Sequence, residues 1–172
     1  MNTSRKTIYT LSESMFRFWY SFVPENAALF QSGMADRLWE KVEPQIPSLL
    51  GGVFEEVCKQ WLWRENAAGR RLFSFARFGR WWGNDPLRKQ EAEIDILVIS
   101  DDGSALFAGC KWNNEKVDAG VLHTLIRRGD LFHYREKHYY LFSKSGFKKE
   151  CLELASHTRA VLVDFKSLSG PS

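Results

Sequence analysis

The sequence predicts an α/β domain, a mixed sheet with helices on both faces, preceded by a short helical segment. Three observations carry that expectation. Apolar residues recur at helical spacing just after Leu49, three strand-like runs then follow one another directly, and the remainder alternates helix with strand. The resulting order (helix, three strands, helix, strand, helix, strand) suits a sheet with both antiparallel and parallel neighbours.

Each element has its own signal. Thr10-Leu-Ser-Glu13 has the form of a capping box, and Met15, Phe16, Trp19, Phe22 and Val23 follow at helical spacing until Pro24. A second helical stretch covers 35–42 and is expected to stop at Pro44 and Pro47. Residues 1–48 therefore read as a helical lead-in to a main domain over 49–172. Its aromatics require a covering surface, either the main domain or another chain.

In the main domain, Val53, Phe54, Val57, Cys58, Trp61 and Leu62 form an apolar helical face, with Glu55, Glu56, Lys59 and Gln60 around it. Residues 72–82 read as a strand and Gly83-Asn-Asp-Pro86 as a loop. Residues 93–99 and 105–112 read as strands joined by Asp101-Asp102-Gly103, a three-residue hairpin loop with glycine in the left-handed position. A helix over 117–131, a strand over 138–143, a helix over 148–156 and a strand over 160–165 complete the pattern.

Composition narrows the class. The 172 residues are 44% hydrophobic and 26% charged, which suits one domain with a sizeable core. Aromatics reach 15%, with 7 Trp and 13 Phe, and most of those rings are expected to fill the core. The formal net charge of +3 permits contact with nucleic acid without arguing for it. Cys58, Cys110 and Cys151 form no CxxC pair, so neither a zinc knuckle nor a disulfide framework is indicated, and reduced thiols in a cytoplasmic protein are expected. No apolar run approaches the length of a membrane span. No GxxxxGK[ST] loop occurs, which excludes a P-loop ATPase.

The hairpin is the most informative segment. With Asp101-Asp102-Gly103 as the loop, Ser100 pairs with Ser104, and counting back sets Leu97 opposite Phe107, Asp95 opposite Gly109, and Glu93 opposite Lys111. Residues two apart share a face, so Glu93, Asp95, Gly109 and Lys111 are expected to line one side, leaving Ile94, Ile96, Val98, Leu106, Ala108 and Cys110 as core. Half-buried charges need a partner. A Glu93–Lys111 ion pair with Asp95 capping a nearby amide would supply one, and a bound cation would supply another.

These residues carry a resemblance. Glu93-Ile-Asp95, the hairpin and Gly109-Cys-Lys111-Trp112 resemble the D…(D/E)xK signature of PD-(D/E)XK nucleases. More narrowly, the chain resembles the C-terminal domain of unknown function 234 of archaeal and bacterial AAA-type ATPases. That likeness adds Phe16-Arg-Phe-Trp-Tyr20, Phe22-Val-Pro24, Gly52-Val-Phe-Glu55, Gly79-Arg-Trp-Trp82 and Leu141-Phe-Ser-Lys-Ser-Gly-Phe147. It implies a restriction-endonuclease-like core, αβββαβ, and an ATPase with a winged-helix segment upstream in related chains.

The resemblance also implies roles. Asp95 matches the metal-binding aspartate and Lys111 the lysine that orients water or stabilises phosphate charge. Glu55 matches the further acidic residue beside the metal, and the backbone carbonyl of Cys110 would complete the shell around weakly held Mg²⁺ or Mn²⁺. The implied chemistry is metal-assisted phosphodiester hydrolysis. Position 109 departs from the pattern, with glycine where the family has Glu or Asp, and Glu93 stands on the same predicted face as a substitute.

Arg70, Arg71, Arg77, Arg80, Arg88 and Lys89 concentrate positive charge before Glu93 and suit phosphate contacts, or equally a solvated strand edge. The tryptophans of Arg80-Trp81-Trp82 suit base stacking or, more simply, packing. His123, His133, His138 and His157 have no ligand-like spacing. The leading expectation is a nuclease-like, DNA-associated domain with a degraded metal site. The alternatives are a catalytically inactive module that binds DNA or docks an AAA-type ATPase through its aromatic helix, and a structural homo-oligomerisation domain.

Overall fold

A computed structural model describes residues 14–70, 75–85 and 88–168, so the capping box at Thr10 and the start of the strand expected from 72 lie outside the described residues. The chain divides into two compact units, Met1–Val53 and Phe54–Ser172.

The first unit is helical. It holds α1 (Ser14–Phe22), α2 (Ala27–Gln31), α3 (Ala35–Val42) and the beginning of α4 (Ile46–Ala67). Pro24 ends α1 as expected and opens a 3₁₀ turn, in which the Asn26 side chain donates to the Phe22 carbonyl at 2.8 Å. Pro47 does not act as a stop. It occupies the first turn of α4, where a missing N–H leaves no hydrogen bond unmade. Phe22 and Val42 are buried, and with Phe18, Phe30, Leu38 and Trp39 they line an apolar cleft of about 180 Å³. Met15, Phe16, Trp19 and Tyr20 are exposed.

The second unit is built on a five-stranded sheet in which spatial and chain order coincide. The strands are β1 (Arg77–Asp85), β2 (Gln90–Ile99), β3 (Ser104–Lys111), β4 (Glu136–Ser143) and β5 (Val161–Asp164). The first three pair antiparallel, because tight loops connect them. β4 and β5 add in parallel, each after a crossover helix: α5 (Ala119–Gly129), then α6 (Lys149–Thr158). A short helix, α7 (Phe165–Leu168), follows. The architecture is the mixed α/β sheet with flanking helices that the sequence predicts.

Two residues secure the turns around the site. Gly103 adopts φ +86°, which a β-carbon would resist, and Ser100 N–H donates to Ser104 O at 3.0 Å, closing the hairpin in the expected register. Asp118 caps α5, its carboxylate accepting from the amides of Gly120 at 2.8 Å and Val121 at 3.3 Å.

The sheet separates two apolar layers. Phe54, Cys58 and Leu62 of α4 pack on Ile96, Val98, Leu106, Ala108 and Phe142. Against the opposite face, Leu125 of α5 packs with Ile94, Leu97 and Phe107. Each fully buried Phe or Leu contributes about 1.5–3 kcal/mol relative to exposure. Among the described residues no helix is long and apolar enough to cross a membrane.

Candidate functional site

The expected strand alternation fails at one place, and that place sets the geometry of the site. Gly79 of β1 pairs with Leu97 of β2, but Trp81 pairs with Ile94. Two residues advance on β1 while three advance on β2, so Asp95 and Ile96 together oppose Arg80. This is a β-bulge. It explains why Ile94 packs with Leu97 on the α5 side while Ile96 and Val98 pack on the α4 side.

Glu93, Asp95, Gly109 and Lys111, expected on one face, do border one cavity, but the bulge changes the contacts that the acids make. The hairpin register holds as predicted from Ile99/Ala105 to Ile96/Ala108, and there the regular β2–β3 ladder ends. Beyond it the two acids and the lysine find different partners. Glu93 forms its ion pair with Arg80, not with Lys111. Arg80 also reaches Glu55 of α4, at 3.8 Å. Asp95 accepts a hydrogen bond from the amide of Cys110 at 2.7 Å, the capping contact considered in the sequence reading. Glu55, Arg80, Glu93 and Asp95 therefore form one cluster on the side of the sheet that α4 covers.

Its electrostatics follow from that crowding. Burial and then the nearby Asp95 charge push the Glu55 carboxyl above its ordinary value, with Arg80 opposing them. Burial works against the Arg80 charge, but Glu55 and Glu93 outweigh it and hold the guanidinium above its ordinary value. On the same side of the sheet, the hydrogen bond with Cys58 and burial raise the Cys110 thiol well above the usual range.

Next to this cluster, and sharing Glu93 and Asp95 with it, a cavity of about 290 Å³ opens between α5 and the ends of β2 and β3. Glu93, Asp95, Gly109, Lys111, Thr124 and Arg128 contribute to its wall. Arg128 donates to the Glu93 carbonyl at 2.6 Å, and its Nε is buried without a hydrogen-bond partner. Among the described residues neither Lys111 nor Arg128 makes an ion pair. Lys111 and Arg128 thus face a cavity whose wall also carries the carboxylates of Glu93, Asp95 and Asp118. Arg128 escaped the sequence reading, since on α5 it looks like one half of an ordinary Arg-Arg helix end.

Gly109 borders this cavity in a confined spot. A β-carbon there would lie 3.2 Å from Leu141 Cδ1 and 3.9 Å from Leu125 Cδ2. Leu141 is fully buried, so apolar packing occupies the space around the position where the family pattern has a carboxylate.

The other predicted residues are dispersed. Arg77 is exposed at the start of β1, whereas Arg88 and Lys89 are exposed beyond its far end. Arg70 pairs with Glu65 at 2.8 Å, and Arg71 lies outside the described residues. The tryptophan pair divides: Trp81 packs edge-on against Phe132 at 5.0 Å and Trp82 is 63% exposed.

The segment expected as the loop 83–86 continues β1 through Asp85, which is 1% exposed. Its carboxylate pairs with Arg127 of α5 and accepts from the Arg88 amide at 3.3 Å. Asn-Asp-Pro is turn chemistry in isolation. The β1–β2 pairing and the ion pair with Arg127 override it.

The arrangement does not fit the expected Mg²⁺ or Mn²⁺ site. Among the described residues no group of three or more His, Cys, Asp or Glu side chains could hold a metal ion. One Asp95 oxygen is engaged by the Cys110 amide, and the charges of Glu93 and Glu55 are met by Arg80. Mg²⁺ requires near-octahedral oxygen ligands and retains water reluctantly shed, which a guanidinium among the carboxylates opposes.

Comparison with known proteins gives three kinds of similarity. A family described as archaeal and bacterial proteins of unknown function, DUF234, matches residues 19–121. The uncharacterized protein MJECL04 of Methanocaldococcus jannaschii is 30% identical over 114 residues, covering 66% of this chain and 24% of that protein. The chain thus spans about a quarter of that relative's length. Among solved structures, the protein of unknown function AF1548 aligns with 16% identity and a TM-score of 0.40, over 63% of this chain and 62% of its own. The MspJI restriction endonuclease in complex with a 27-mer oligonucleotide aligns with 11% identity and a TM-score of 0.42, over 95% of this chain and 34% of its own.

Proposed function

The chain belongs to the DUF234 family of archaeal and bacterial proteins, and from that premise we propose a nuclease-like, DNA-associated domain whose cavity holds a backbone phosphate without rapid hydrolysis. The observation that carries the reading is the placing of two cations outside the ion pairs, Lys111 and Arg128 with its buried unpartnered Nε, in the wall of one cavity at the end of the central strands. A phosphate would accept charge-assisted hydrogen bonds from both. Lys111 is also the lysine of the segment that resembles D…(D/E)xK.

Hydrolysis is not part of the reading, for two reasons. Position 109 offers no carboxylate on the lysine's face of β3. Glu55 and Glu93 are engaged by Arg80, so they are poorly placed to activate water. Arg77, Arg88 and Lys89 would add weaker contacts along the nucleic-acid backbone, each lowering affinity as salt rises.

Fluorescence anisotropy on a labelled DNA duplex across a salt series tests this. Wild type is expected to bind salt-sensitively, and Lys111→Ala and Arg128→Ala each to reduce the slope of log K against log salt by about 1. Supercoiled plasmid with Mg²⁺ or Mn²⁺ is expected to remain largely unnicked. Absence of salt-sensitive binding would overturn the reading in favour of a protein-interaction module, for which the exposed aromatics of the first unit provide a surface. Rapid nicking lost in Lys111→Ala would make the domain a working nuclease instead.

A further inference from the structure

Arg80 occupies an unusual place for a strand arginine. It sits opposite the β2 bulge, where two residues of the neighbouring strand confront one of its own. From there its Nε pairs with Glu93 while its Nη2 lies 3.8 Å from Glu55 of α4. The two acids come from different elements, so two carboxylates share one cation supplied by the chain, with the Asp95 charge nearby.

We propose that Arg80 is the resident cation of this acidic cluster, standing in place of a divalent metal and excluding it. A guanidinium presents several N–H groups in a plane, so it can engage two carboxylates on different elements at once. It remains charged at all physiological pH values. A metal arriving at Glu55 and Glu93 would have to displace it or place two cations together, which Coulomb repulsion at a few ångströms opposes.

The consequence concerns ion binding rather than DNA. The wild-type cluster has no appreciable affinity for Mg²⁺ or Mn²⁺, and removing Arg80 leaves the two carboxylates Glu55 and Glu93 without their cation and open to a hydrated divalent ion. Substituting Arg80 with lysine retains the charge but loses the planar fork, so exclusion should persist with a looser tie between β1 and α4. This inference shares Glu93 and Asp95 with the wall of the phosphate cavity, but its readout is ion binding and its variants leave Lys111 and Arg128 in place.

Titration of the whole protein with MnCl₂, followed by calorimetry and by the Mn²⁺ electron paramagnetic resonance signal, tests it without any activity assay. Wild type and Arg80→Lys are expected to show no saturable binding up to about 1 mM Mn²⁺. Arg80→Ala is expected to bind at least about tenfold more tightly than wild type, a difference of about 1.4 kcal/mol. Adding Glu93→Gln to it should abolish the gain. Arg80→Gln takes its place should the alanine variant not fold. Saturable wild-type binding below 1 mM, or a folded Arg80 variant with no gain, overturns the proposal. Neither result alters the expected salt-sensitive DNA binding, so the two readings fail separately.

Discussion

Gly109 is the residue on which the family pattern and this chain part. Its missing side chain does not leave an open notch, because Leu141 and Leu125 crowd the direction a β-carbon would take. Alanine there gains from a less flexible unfolded chain, by about 0.4–1 kcal/mol, and loses more by pressing on a fully buried leucine. Gly109→Ala is therefore expected to be net destabilising by about 1 kcal/mol, lowering the melting temperature by about 3 °C in a thermal scan. A melting point at or above that of wild type would show that Leu141 yields freely. In that event a carboxylate could be restored at 109 with little strain.

At the scale of the element, the β2 bulge decides which groups meet. Asp95 lies in it and accepts from the Cys110 amide just past the end of the regular β2–β3 ladder. Asp95→Ala leaves that N–H without its acceptor and is expected to cost about 1–3 kcal/mol, whereas Asp95→Asn keeps an oxygen in place and costs less. Urea denaturation midpoints distinguish them. Equal losses in both variants would mean that charge, not the amide contact, is what the position supplies.

The bulge is also where sequence reasoning reached its limit. The hairpin was legible because Asp-Asp-Gly demands one turn geometry, and the turn fixes the register of every residue beside it. It holds through Ile96/Ala108. The run Glu-Ile-Asp-Ile-Leu satisfies strict alternation, however, so nothing in its composition marks an extra residue. One unpaired position then moved Ile94 to the α5 layer and gave Glu93 to Arg80 instead of Lys111. Arg80 itself was visible only as one of six positive residues, because its partners come from α4 and β2, distant in the chain.

At the scale of the molecule, the sheet of the second unit is secured by charge as well as by apolar layers. Asp85, at the end of β1, and Arg127, on α5, join the terminal strand to a crossover helix. Asp85 is buried and Arg127 half-buried, so Asp85→Ala leaves a partly solvated guanidinium and is expected to destabilise by about 1–3 kcal/mol. Arg127→Ala in the same background should add little, and a double-mutant cycle by chemical denaturation would return a coupling of about 1–3 kcal/mol. Additive losses would mean that the two side chains act separately. The overall order of helices and strands was readable because hydrophobic period and turn residues agree along the chain. This tie was not, since Asn-Asp-Pro taken alone specifies a loop.

The bulge has one more consequence, for how these molecules coexist at high concentration. β1 is the terminal strand of the sheet, and a long flat terminal strand is a template onto which another copy can zip by backbone pairing. An unmatched residue in its neighbour increases local twist and kinks the rim away from that flat geometry. The same irregularity that sets Arg80 opposite two residues thus works against fibrous stacking along the rim.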